Sequence, residues 1–297
     1  MAVYPIILSQ TSYTHRDDLT YPYQERALQF GDGIYEVIRI YNGRYYLLEE
    51  HVDRLFRSAE AVKIELPFTK QEVTDLLLEL LEKNEMKEDG KMYMQVSRGS
   101  APRDHVFPAD VPANIYAYVQ QLPRAEEKLK NGVPVITQRD IRWENCYIKS
   151  LNLLPNVLAK QEAKEQGCDE AILHRDGRVT ECSSSNVYLV KNGEIRTHPA
   201  TNNILHGCVR MKVKSLAEEQ EIPFIEEAFH VEDIEDADEL FLTSSTSEVM
   251  PITKVDGKDI ANGAPGRITR LLQQAYDQDA GIASTEIKEP VSSADSK

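Results

Sequence analysis

No stretch of this chain approaches the roughly 18 consecutive apolar residues that a membrane-crossing helix requires. Met1 to Gln10 hold a short apolar run, but no basic residues precede it and no small-residue cleavage pattern follows. The expectation is a chain that is neither secreted nor membrane-spanning and that works in the cytoplasm. Cysteine is scarce: Cys146, Cys168, Cys182 and Cys208 are the four in 297 residues, and none forms a C-x-x-C pair. The seven histidines show no i, i+4 spacing. Neither a disulfide framework nor a zinc site is suggested, so no metal is expected and the thiols read as reduced. An excess of positive charge is also lacking. The formal charge of −15 argues against nucleic acid and anionic membrane surfaces as partners, because both repel an acidic protein. There is no internal repeat, no G-x-x-x-x-G-K-[ST], no G-x-G-x-x-G after a strand and no G-x-S-x-G, which weakens nucleotide-binding and serine hydrolase readings.

What is present is an ordinary soluble balance, 28% charged and 41% hydrophobic, on a length that fits about two domains. The pattern is α+β without a regular β-α-β alternation. Tyr35–Tyr41, the turn Asn42-Gly43 and Arg44–Leu48 read as a hairpin. Val52, Leu55, Phe56, Ala59 and Val62 recur at helical spacing, and Thr69-Lys70-Gln71-Glu72 is a capping box opening a second helix. Strands are expected at Lys91–Ser97 and Asn114–Gln120, and the charged Arg124–Gly132 reads as a linker. Beyond it come a strand carrying Lys149 inward, a helix over about Asn156–Gln166, and strands at Glu170–His174, Val187–Val190 and Glu239–Leu242. Helices follow at Gly207–Gln220 and Pro265–Tyr276. The division expected is an N-terminal α+β domain over 1–123, a linker over 124–132, a C-terminal domain over 133–280 and a flexible tail over 281–297.

The chemistry centres on two segments. Asp140 to Leu154 presents Lys149 immediately before the uncharged Leu151-Asn152-Leu153-Leu154. Thirty-two positions on, Glu181 stands against Ser183, Ser184 and Ser185, just before the apolar Val187–Val190. An amine, an acid and a hydroxyl-rich turn are the parts of a pyridoxal phosphate site: a Schiff base partner, a carboxylate for the pyridine nitrogen and donors for the phosphate. Other segments stay open on residues alone. Gln29–Val37 reads equally as a glycine-rich turn, Arg54 as a solvated helix arginine, Thr243–Glu248 as a common loop and Arg98–His105 as a basic surface turn.

Together these segments, in this order from about Gln24 to Gln274, resemble the two-domain fold type IV (class IV) pyridoxal phosphate-dependent aminotransferases, and within them the D-amino acid (D-alanine) aminotransferases. The resemblance implies Lys149 as the catalytic lysine that holds pyridoxal 5'-phosphate as a Schiff base and Glu181 as the partner of the ring nitrogen. It implies Arg54, Leu205, Cys208, Val209, Ser184, Ser244 and Ser245 as further cofactor contacts. Tyr35, Arg103 and His105 are implied as the substrate carboxylate site, with the Arg103 loop reaching a neighbouring subunit in a homodimer. Glu36 is implied to support the cofactor's surroundings. Gly207-Cys208-Val209-Arg210 departs from the usual Gly-Ile-Thr-Arg, Cys182 and Ala27 replace glycines, and Ser245 replaces a frequent threonine. The implied reaction is ping-pong transamination between D-alanine, D-aspartate or D-glutamate and the 2-oxo acids 2-oxoglutarate and pyruvate. Alternatives on the same fold are a branched-chain L-amino acid aminotransferase, an R-selective amine transaminase and an aminodeoxychorismate lyase. Outside that class stands a catalytically silent binding protein.

Overall fold

The Gly33–Tyr41 strand alternates strictly, so Ile34, Ile38 and Ile40 fall on one face and Tyr35, Val37 and Arg39 on the other. The computed structural model describes residues 2–282, and there this strand lies within an antiparallel sheet of six strands. Across that sheet the order is Ser12–His15, Val3–Ser9, Asn114–Gln121, Gly90–Ser97, Gly33–Tyr41 and Arg44–Tyr45. The isoleucine face is covered by the helices Leu48–Ala61 and Lys70–Lys83, whose Leu55, Leu77 and Leu80 are buried against it. The capping box forms as read, with Thr69 accepting from the Glu72 amide and Glu72 reaching back to the Thr69 amide.

The hairpin turn uses Asn42 and Gly43 at positive φ, 49° and 71°, as a two-residue turn between twisted strands requires. Its second strand is shorter than expected. It ends at Tyr45 because Leu47 adopts a left-handed backbone, φ 58°, which turns the chain out of the sheet and into the Leu48–Ala61 helix.

The other sheet is mixed. Its path runs Phe224–Glu226, Glu194–Thr197, Asn186–Lys191, Glu239–Ser244, Glu248–Val255, Val133–Arg139, Glu170–Arg175 and Arg178–Cys182, with Lys258–Asp259 added to Glu248–Val255. Helix Leu154–Glu165 packs on one part of it through Ala159 and Ala163. Helices Cys208–Glu219 and Arg267–Asp279 pack through Val213, Leu216, Ile268 and Leu272.

The connection between the sheets is more ordered than a linker. Glu126–Asn131 is a helix with acidic residues in its first turn and lysines in its last, the arrangement that complements the helix dipole. Arg124, just before it, pairs with Glu248 and Asp277, both at 2.6 Å. A bond between the hydroxyls of Tyr41 and Tyr276, 3.2 Å, also joins the halves. Among the described residues no helix is long and apolar enough to cross a membrane. From residue 283 on, the expected tail lies outside the described residues.

Candidate active site

Lys149 is not on a strand, contrary to the sequence expectation. Residues 145–150 turn, with the Ile148 amide donating to Asn145 O, and only Ser150 makes a bridge, to Ile34. The segment crosses the end of the Gly33–Tyr41 strand instead of extending beside it. Two bonds fasten the crossing: the Tyr35 amide to Lys149 O and the Leu151 amide to Gly33 O, each 3.0 Å. Glycine at position 33 permits it, because a Cβ there would stand 2.6 Å from Val96 O and 2.8 Å from a Leu151 methyl. Half-buried Lys149 places its Nζ 4.3 Å from the centre of the Tyr35 ring.

Glu181 is held on a buried strand, Arg178–Cys182. Its carboxylate accepts from Arg142 Nη1 at 2.5 Å, from Asn186 Nδ2 at 2.9 Å and from the Leu205 amide at 3.1 Å. Arg142 is in turn gripped through two bonds by Asp140, which Arg175 and Thr180 also hold. Burial lifts the Glu181 carboxyl above its ordinary value, and the Arg142 guanidinium and the Leu205 amide pull it back toward the carboxylate. Sequence reasoning assigns no role to Arg142 or Asn186. Arg142 lies in the quoted Lys149 segment, but only the fold brings it to Glu181. Cys182 is buried beside Glu181, where it both lines the cleft and packs with the apolar core around Ile172 and Val187.

One end of the cleft gathers groups suited to an anion. Arg54, 5% exposed, donates through Nε and Nη2 to both oxygens of Glu36 at 2.8 Å and through Nη1 to His206 O. Arg54 and His51 hold the Glu36 carboxyl far below the usual carboxylate range, although its complete burial acts in the opposite direction. The Cys208–Glu219 helix begins here with no side-chain cap, so the amides of its first turn are unclaimed by the protein. Gly207 is required at its entry, since a Cβ would meet Asn186 Oδ1 at 2.4 Å. Cys208 and Val209 are both buried, and Val209 packs its side chain into the apolar layer while its amide stays in the first turn. Ser244, the last residue of the strand Glu239–Ser244, and Ser245, in the turn after it, line the cleft.

The structure therefore gathers Lys149, Tyr35, Arg54, Glu181, Leu205, Cys208, Val209, Ser184, Ser244 and Ser245 around one cleft of about 760 Å³, its open mouth included. Ser184 stands there with its hydroxyl donated to Glu170, and Ser183 and Ser185 donate to the same carboxylate. Arg103 and His105 lie outside this lining, exposed on their loop and gathered about the Phe30 ring at 4.8 and 5.4 Å.

An amine, a buried carboxylate and a group of donors suited to an anion, gathered in one cleft, are the parts of a fold type IV pyridoxal phosphate enzyme. The family described as amino-transferase class IV matches residues 33–255, and the chain belongs to it. It is 46% identical over 267 residues to the D-alanine aminotransferase of Staphylococcus epidermidis, covering 90% of this chain and 94% of that one. It is 47% identical to that of Bacillus licheniformis, covering 88% and 92%, and 41% identical to that of Listeria monocytogenes serotype 4b, covering 95% and 98%. Among solved structures, the branched-chain amino acid aminotransferase of Escherichia coli superposes with a TM-score of 0.88 at 22% identity, over 96% of this chain and 98% of that one. The Thermobaculum terrenum branched-chain enzyme gives 0.85 at 24%, over 95% of each. At such identity these two show the fold.

The cofactor of the class, pyridoxal phosphate, fits what the cleft offers. An uncapped helix N-terminus beside a buried arginine and two hydroxyls suits a phosphate, and Glu181 suits a protonated ring nitrogen.

Proposed function

We propose that this aminotransferase moves the amino group of D-amino acids, such as D-alanine, D-aspartate and D-glutamate, to 2-oxo acids such as 2-oxoglutarate and pyruvate. The observation that carries the proposal is the placement of the Lys149 amine in one cleft with Glu181 and the anion cradle. The D-configuration rests on relatives named D-alanine aminotransferases that align along nearly their whole length.

When bound, pyridoxal phosphate supplies an aldehyde that takes up amino groups and a ring that accepts the electrons released at the substrate α-carbon. Lys149 Nζ then acts as the base that removes the α-proton and the acid that returns it on the cofactor side. Glu181, fixed by Arg142, Asn186 and the Leu205 amide, keeps the ring nitrogen protonated. Arg54, the Cys208 and Val209 amides, Ser244 and Ser245 would hold the phosphate, leaving Lys149 free to move the proton in both halves of a ping-pong cycle.

The substrate carboxylate is taken by Tyr35, Arg103 and His105. Arg103 and His105 stand on an exposed loop outside this chain's cleft lining, which supports a cytoplasmic homodimer in which a second copy of the chain supplies them. Arginine suits the task because its planar fork accepts a carboxylate through two bonds. Steady-state assays pairing D-alanine or L-leucine with 2-oxoglutarate test the reading. D-alanine turnover is expected; turnover of L-leucine with none of D-alanine would replace this reading by the branched-chain one.

A further inference from the structure

His51 lies one turn before Arg54 on the same helix face and is 1% exposed. Both of its ring nitrogens are engaged. Nδ1 is 2.7 Å from Glu36 Oε2 and Nε2 is 3.2 Å from Ser245 Oγ. An ionised carboxylate only accepts, so the hydrogen of the first bond sits on Nδ1. What remains undecided by that bond is Nε2. A neutral ring has a lone pair there and takes the Ser245 hydrogen, which leaves the serine showing only lone pairs to the cleft. A protonated ring donates from Nε2 to Ser245 Oγ, and the serine hydrogen is then free to point at an anion.

We infer that His51 is a positioning residue for the cofactor, an imidazolium that turns the Ser245 hydroxyl hydrogen toward the cofactor phosphate and supplies the second positive charge behind that anion site. The inference rests on the reading of this cleft as the pyridoxal phosphate site with Ser245 at its phosphate end. Glu36 and Arg54 cancel each other as a buried pair with two bonds. Without His51 the side chains of the cradle carry no net positive charge, and with it they carry one, against a phosphate that is close to dianionic at neutral pH.

The groups facing the ring come from four elements: Glu36 from the Gly33–Tyr41 strand, Arg54 from its own helix, the Cys208 thiol from the helix Cys208–Glu219, and Ser245 from the turn after Glu239–Ser244. Burial disfavours the imidazolium, but the Glu36 carboxylate and the Cys208 thiol outweigh it and raise the ring above its ordinary value. The charged ring is thus favoured over that of an ordinary histidine and is lost as pH rises through that elevated value.

The test uses holoenzyme brought to its pyridoxamine phosphate form, in which no covalent bond to Lys149 masks the phosphate contacts. Its dissociation constant for pyridoxamine phosphate is read by dilution at about pH 7 and about pH 9. His51→Gln should weaken binding about tenfold or more at the lower pH, the loss of one charge-assisted bond. The parent should weaken between the two pH values and His51→Gln should not. Because His51 works largely through Ser245, the double variant with Ser245→Ala should lose less than the two single losses combined. Parental affinity in His51→Gln, a parental pH profile in that variant, or fully additive losses would each overturn the inference. If His51→Gln does not fold, Ser245→Ala decides, since it leaves the ring and its Glu36 bond intact. Weaker binding with a smaller pH-dependent fall supports the inference, and parental binding overturns it. A parent that holds no cofactor at all overturns the reading of the cleft itself.

Discussion

Arg142 Nη1 lies 2.5 Å from Glu181 Oε1, and the same guanidinium is clamped by Asp140 through Nε and Nη2 at 2.9 Å. Glu181 is therefore a buried carboxylate whose charge is kept by an arginine that has nowhere else to go. Arg142→Met should leave that acid with only amide donors, push its carboxyl further up and slow the proton-transfer half-reaction. It should also cost on the order of 3 kcal/mol of stability, because Asp140 and Glu181 both lose a buried partner. Stopped-flow half-reactions and thermal melts check both, and an unchanged half-reaction rate removes Arg142 from the mechanism.

Glu181→Gln keeps the shape of the site and removes the charge. An amide cannot hold the ring nitrogen protonated, so the proton-transfer step should slow about a hundredfold or more, with a much smaller effect on the melting temperature. Equal rates in the two proteins would remove the assignment.

Lys149→Ala should abolish turnover while the fold persists. The backbone of residue 149, not its side chain, makes the bond to the Tyr35 amide. The phosphate cradle also does not involve the amine. Ordinary steady-state turnover in the variant would show that another base does the work.

Replacing both Arg103 and His105 by alanine should raise the KM for D-alanine sharply and leave the absorption of the bound cofactor unchanged. Both side chains are exposed and neither lines this chain's cofactor cleft. A loss of cofactor with no change in KM would contradict that division of labour.

Stability should respond to acid through Glu36. Its carboxyl is depressed in the folded protein, so its contribution is fully present above the ordinary value of 4.5 and is lost as pH falls toward the folded one. His51, raised above its ordinary 6.5, acts in the opposite sense: its contribution is present below that value and is lost as pH rises through the folded one. Thermal melts of Glu36→Gln should therefore show a shallower decline in acid than the parent. Identical acid limbs would mean that other carboxylates govern it.

The elements that periodicity announces clearly were legible in the chain: the Gly33–Tyr41 hairpin with Asn42-Gly43, the capped Lys70–Lys83 helix and the apolar Val187–Val190 run. Each is specified by short-range rules, strand alternation, turn chemistry and capping, which act within a few residues. The Lys149 segment reads as a strand for the same reason, although it folds as a turn. Local alternation cannot report that its carbonyl will be spent on Tyr35 of the other sheet. The Arg124–Gly132 stretch looked like a linker because charge was its local signal, and its partners Glu248 and Asp277 are distant in sequence.

By itself the sequence determined which side chains are the candidates for the chemistry: a lysine, a glutamate and an arginine in motifs whose order identifies the class, together with the glycines at 33 and 207, where the structure brings backbone and side chains close. Only the tertiary structure decided how those groups are tuned. Arg142 reaches Glu181 across 39 positions, Arg54 reaches Glu36 across 18, and Ser245 reaches His51 across 194. The physical reason is that a buried charge takes its state from whatever stands within a few ångströms of it, and only the packing of the two sheets sets those neighbours.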